Sequence, residues 1–179
     1  MRIITTLIIS LGLLLSSIAT ANTASSGVIP DLPLYSKIYD DQRDPFKDAS
    51  AALTLAKETN RQVLIEIGGN WCSWCHKMDA FLAKNPDVSL ALHSQYVLLK
   101  ISVSDSNENN DFMKSLPPVL GYPHMYVSTA QGKMILSKDT AELLAGDNYS
   151  RSQWLSFLSN WSVSATKAQA QLSTTASVD

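Results

Sequence analysis

The sequence predicts an α/β domain with a central mixed sheet flanked by helices, and three observations predict it. Two short apolar runs, over 63–67 and 96–103, read as strands buried on both faces. Segments with helical periodicity surround them. A pair of short strands joined at Ala130-Gln131-Gly132 then adds a hairpin to the sheet.

The elements follow in order. Asp44 caps a first helix that Pro45 opens. Ala49, Ala52, Leu53 and Ala56 recur at helical spacing, so this helix is expected over 45–59, broken by Asn60-Arg61. Val63-Leu64-Ile65-Glu66-Ile67 is the first strand, and Gly68-Gly69-Asn70 ends it. A helix is expected over 75–82, stopped by Asn85-Pro86, with a shorter one from Asp87 to about residue 93. The second strand spans 96–103, followed by a polar turn over 104–110 and a helical turn over 111–116. Pro117-Pro118 and Gly121-Tyr122-Pro123 frame a constrained loop. Strands over 124–128 and 133–137 make the hairpin. Ser150 or Ser152 caps a last helix through 161, with Trp154, Leu155, Leu158 and Trp161 on one face.

Outside 44–162 the character changes. Met1-Arg2, an apolar run to Ile18 and the small residues Ala19-Thr20-Ala21 have the order of a secretory signal over 1–21. The run is short for a membrane span, so no span is expected after cleavage. Residues 22–43 are expected to be an extended lead-in, and the Ser/Thr/Ala/Gln-rich 163–179 a flexible tail. With 179 residues, 45% apolar and 17% charged, the chain has the make-up of one globular domain with extensions. A net charge of -2 without a basic stripe excludes a nucleic-acid footprint.

The chain has two cysteines, in Trp71-Cys72-Ser73-Trp74-Cys75-His76-Lys77, where a strand turns into a helix. A disulfide between them closes too small a loop to staple the fold, so chemistry is the better reading. Thiol exchange needs a thiolate, and a helix N-terminus stabilises one through unpaired N–H groups and its dipole. Two intervening residues return the second sulfur to the first within one helical turn. Three rivals stay open. Cys72-Ser73-Trp74-Cys75-His76 also matches c-type haem attachment, against which the buried strand just before it argues. Zinc needs more ligands than Cys72, Cys75 and His76, with His93 and His124 isolated. The pair can also be an inert disulfide in a binding or chaperone module.

Taken together, Val63 to Ile67, Gly69-Asn70-Trp71-Cys72, Gly121-Tyr122-Pro123 and the glycines Gly132 and Gly146 resemble the thioredoxin superfamily over about 44–162. The chain is most similar in kind to exported thioredoxin-like proteins with a Gly-Gly-x-Trp-Cys-x-Trp-Cys-His segment. The resemblance implies Cys72 as exposed nucleophile and Cys75 as the buried resolving thiol. It implies Glu66 as a buried carboxylate exchanging the Cys75 proton through water, with Lys100 as its partner. It implies a cis bond before Pro123, beside which substrate backbone pairs by strand addition. Trp71, Trp74, Tyr122 and Pro123 are the expected substrate-contacting residues. Tyr122 and Ser73-Trp74 depart from the common pattern, Ser73-Trp74 standing where thioredoxin has Gly-Pro. Trp74 is either a platform for partner protein or a lid, and His76, when protonated, favours the thiolate. The expected activity is thiol–disulfide exchange with protein substrates, leaning to reduction and needing no cofactor or metal. A monomer is expected, exported to a bacterial periplasm and served by a membrane or periplasmic redox partner.

Overall fold

The computed structural model describes residues 31–175, so the expected signal over 1–21 lies outside the described residues. The elements run α1 (Leu34–Lys37), α2 (Pro45–Glu58), β1 (Gln62–Gly68), α3 (Ser73–Lys84), α4 (Pro86–Gln95), β2 (Tyr96–Ser102) and α5 (Asn110–Met113). Then come β3 (His124–Ser128), β4 (Met134–Asp139), a 3₁₀ turn (Thr140–Leu143), β5 (Leu144–Ala145), β6 (Asn148–Tyr149), α6 (Arg151–Asn160) and α7 (Val163–Thr175).

The main sheet has the order β2-β1-β3-β4. β1 and β2 are parallel, and β3 is antiparallel to β1 and to β4. The sheet is therefore mixed, because α3 and α4 carry the chain back across it before β2 while a tight hairpin joins β3 to β4. Gly132 supplies that hairpin's positive φ of 82°.

Strand alternation divides the core. Leu64 and Leu98 face one side with Met78, Leu92, Trp154 and Leu158 from α3, α4 and α6. Val63, Ile65, Val97 and Leu99 face the other with Ala52 and Ala56 from α2. Side chains two apart share a face. Glu66 and Lys100 accordingly follow Leu64 and Leu98, and the parallel register sets the two side by side.

Local signals are realised closely. Asp44 caps α2 by accepting from the Phe46 and Lys47 N–H groups at 2.9 and 3.2 Å. Ser150 caps α6 through the Gln153 N–H at 3.4 Å. Two segments differ from expectation. The stretch read as an extended lead-in contains α1 and buries Tyr35 and Tyr39. Ser36 Oγ there donates to the Leu98 carbonyl at 2.5 Å, a tie the local sequence does not announce. The stretch read as a flexible tail continues as α7, whose Thr166 hydroxyl accepts from Gln62 Nε2 at 3.0 Å. No helix among the described residues is long and apolar enough to cross a membrane.

Candidate active site

Gly68, at the end of β1, brings the chain out of the sheet and into α3. Cys72 is the N-cap of α3, and its Sγ accepts the Cys75 N–H at 3.1 Å. A sulfur in that place receives the unpaired donors of a helix start, the setting that favours an anion there. Cys72 and Cys75 are joined as a disulfide, with Cα atoms 5.3 Å apart.

Both cysteines are buried, at 3% and 0% exposure. For Cys75 this agrees with the sequence reading. For Cys72 it does not: the residue read as exposed is covered. Tyr39 packs with the two cysteines, and Trp74 lies against that cluster. The Trp74 ring also meets the Tyr149 ring edge-on at 6.0 Å and carries Lys77 Nζ 4.0 Å above it. Trp74 thus packs against both the disulfide cluster and the β5–β6 hairpin.

Trp71 sits differently. Its Nε1 donates to the Val103 carbonyl at 2.6 Å, yet the side chain is 57% exposed. Its ring meets Tyr122 edge-to-face at 5.1 Å. The Tyr122–Pro123 bond is cis, and Thr140 Oγ1 donates to the Pro123 carbonyl at 2.6 Å. Trp71 and Tyr122 form one wall of a cleft of about 1040 Å³ that also takes in Val103, Met113, Leu116 and Pro117. His76 Nε2 is 2.8 Å from the Asn70 carbonyl oxygen.

Below the cysteines, Glu66 is 1% exposed. Burial raises its pKa, against the attraction of the Lys100 ammonium and the hydrogen bond from Tyr39. Lys100 stands beside Glu66, but its Nζ hydrogen-bonds Asp79 of α3 at 2.5 Å and not Glu66. The direct partner of Glu66 is the Tyr39 hydroxyl, which donates to Oε1. Lys100, the expected partner, acts on Glu66 through its charge, and the Tyr39 phenol supplies the hydrogen bond. Sequence reading missed both Tyr39 and Asp79. The signal for Tyr39 is an aromatic residue in a polar, Pro-containing stretch outside the main pattern.

Gly68 ties these parts together. A Cβ there would lie 2.5 Å from Cys75 Sγ and 2.6 Å from Tyr39 Oη. The cysteine sulfur and the phenol oxygen close over the same bare backbone position, which only glycine leaves open. Gly69 is equally confined, since a Cβ there would meet Trp71 Nε1 at 2.6 Å and the Val103 carbonyl at 2.8 Å. Among the described residues, no three His, Cys, Asp or Glu side chains are grouped to hold a metal ion.

A C-x-x-C disulfide capping a helix at the exit of a buried strand, on a mixed four-stranded sheet, defines a thioredoxin-like thiol–disulfide oxidoreductase. Residues 44–130 match the family model described as thioredoxin-like. The fold is similar to the crystal structure of a disulphide isomerase from Xylella fastidiosa Temecula1, with TM-score 0.59 and 23% identity, covering 73% of this chain and 97% of that one. The Neisseria meningitidis DsbD C-terminal domain in the oxidised form aligns with TM-score 0.44 and 23% identity, over 53% of this chain and 82% of that one. No curated protein matches the chain in sequence.

Proposed function

We propose that this protein is an exported thiol–disulfide oxidoreductase of protein substrates, working mainly as a reductase. The observation that carries the proposal is the Cys72–Cys75 disulfide at the N-cap of α3, packed on Tyr39, whose hydroxyl donates to the buried Glu66. In the reducing direction, the Cys72 thiolate attacks a substrate disulfide and forms a mixed disulfide, releasing one substrate sulfur. Cys75 then loses its proton and attacks Cys72 Sγ, the second substrate sulfur leaves as thiolate, and the Cys72–Cys75 bond forms. Two electrons pass to the substrate. The helix start steadies the first thiolate, and a buried carboxylate handles the second proton. The cleft beside Trp71 and Tyr122 offers an extended substrate chain an apolar wall.

The buried Glu66 supports the reductive lean through its match to the buried carboxylate of thioredoxins. The signal-like residues 1–21 support export, and a reductase in that setting draws electrons from a membrane or periplasmic redox partner. The test is equilibration of the Cys72–Cys75 pair against glutathione, together with an insulin-reduction assay. A potential near about −270 mV supports the reductase reading, and one near about −120 mV replaces it with an oxidant. Loss of insulin reduction in Cys72→Ser is expected. A second reading, a binding or chaperone-like module, draws on the exposed Trp71, Leu120 and Tyr122. It prevails if Cys72→Ser keeps full function in the cell.

A further inference from the structure

We propose that Tyr39 is the proton relay of the exchange reaction, its hydroxyl linking the Cys75 thiol to the Glu66 carboxylate and carrying the proton between them. This rests on the proposed exchange chemistry and replaces the water expected between the two groups with a side chain. Four observations support it. The Tyr39 hydroxyl donates to Glu66 Oε1. Having given its hydrogen to the carboxylate, the phenol oxygen keeps its lone pairs for a donor on its other side. That side is the Cys75 side: Tyr39 packs with both cysteines, and its Oη and Cys75 Sγ crowd the same face of Gly68.

Tyr39 is also held in place at several points. Asn70 Nδ2 donates to the Tyr39 carbonyl at 3.1 Å. Two residues on, Asp41 accepts from Ser102 and Ser104 hydroxyls at 2.5 and 2.9 Å, and Asn107 Nδ2 donates to the Asp41 carbonyl at 2.7 Å. Ser36 ties the preceding turn to β2. Such clamping of a segment outside the sheet fixes one side chain over the disulfide, which packing alone does not require.

The charged and titratable groups around the link are Glu66 from β1, Lys100 from β2, Asp79 from α3 and Tyr149 from β6. Burial and the neighbouring carboxylate hold the Tyr39 phenol well above its ordinary range, so it works as a neutral hydroxyl. The step balances without a phenolate. As the Cys75 proton moves to the Tyr39 oxygen, the Tyr39 proton moves to Glu66. The products are the Cys75 thiolate, a neutral phenol and a neutral carboxylic acid. The thiolate then attacks Cys72 Sγ of the mixed disulfide, and the departing thiolate takes the electron pair.

The test uses the reduced full chain and oxidised glutathione, following by stopped-flow fluorescence first the formation of the Cys72–glutathione mixed disulfide and then its closing by Cys75. Tyr39→Phe keeps the ring and removes the link. It is expected to slow closing at least about tenfold at pH 7, the low end of proton-transfer catalysis. The midpoint of closing moves to higher pH, because Glu66 loses the donor that favours its ionised form. Fluorotyrosine at position 39 keeps the bond but acidifies the hydroxyl, and is expected to move the midpoint the opposite way. Glu66→Gln slows closing, and adding Tyr39→Phe to it costs nothing further. A uniform slowing with an unmoved midpoint, or full multiplicative loss in the double variant, overturns the link and leaves Tyr39 a packing residue. If Tyr39→Phe does not fold, an unmoved midpoint with fluorotyrosine overturns it equally. Cys72→Ser separates the two levels: normal closing in Tyr39→Phe with a dead Cys72→Ser sinks only the link. An active Cys72→Ser sinks the exchange chemistry itself.

Discussion

The two sides of the Cys72–Cys75 disulfide are built to opposite rules. Beneath it, Glu66, Lys100 and Tyr39 are buried at 1%, 5% and 5% exposure, with their polar atoms committed to one another or to Asp79. Beside it, Trp71, Leu120 and Tyr122 stand in solvent, large and apolar. A buried polar group without a partner costs about 1–3 kcal/mol, so the lower side tolerates few changes and holds one geometry. The exposed side has no such constraint and is free to vary with what it touches. On the proposed chemistry, proton handling belongs to the inside and partner choice to the rim.

Changes at the sulfurs test this division most severely. Cys72→Ser is expected to abolish insulin reduction, and Cys75→Ser to trap a mixed disulfide at Cys72, visible by mass after mixing with a disulfide peptide. Gly68→Ala comes next. Its Cβ meets Cys75 Sγ and Tyr39 Oη at once, so overpacking of about 1–3 kcal/mol is expected, read as a lower urea midpoint alongside slower exchange.

Stability against pH sharpens the comparison, because two buried groups, His93 of α4 and Glu66 of β1, pull in opposite directions. Burial lowers the His93 pKa to about 4, so the folded state refuses a proton that the unfolded chain takes near its ordinary value. Stability is then lost as pH falls from about 6.5 toward 4, on the order of 2 kcal/mol, and His93→Gln is expected to remove that loss in urea melts. Glu66 has the other sign. Its raised pKa means the folded state holds a proton longer, and stability is lost as pH rises from the ordinary carboxylate range through the folded value. Glu66→Gln is expected to remove that loss in urea melts across the same window.

The smallest effect is expected at the rim. Tyr122→Ala removes an edge-to-face pair with Trp71 worth about 0.5–1.5 kcal/mol. It should raise KM for a protein disulfide up to about tenfold while the reaction with glutathione is unchanged. Equal loss toward both substrates would place Tyr122 with the chemistry and erase the distinction between the two sides.

Much of this was legible in the chain itself. The apolar runs at β1 and β2, the Asp44-Pro45 start of α2, the Ser150 cap and the glycine at the β3–β4 turn are local patterns, set by residues a few positions apart. Cys72 and Cys75 belong with them, since their spacing and the strand before them already place a sulfur at a helix start. Alternation along β1 and β2 even turns Glu66 and Lys100 to one face. What tertiary structure decided is who meets whom across distance. Tyr39 reaches Glu66 from 27 residues away, out of a stretch that looks like an extended lead-in, and Lys100 turns to Asp79, 21 residues away on another element. Cys72 packs against Tyr39, a ring that no local pattern assigns to it. Periodicity reports the face a residue turns inward, but the identity of its neighbour depends on how the packed elements register, and that is settled only when the chain closes on itself.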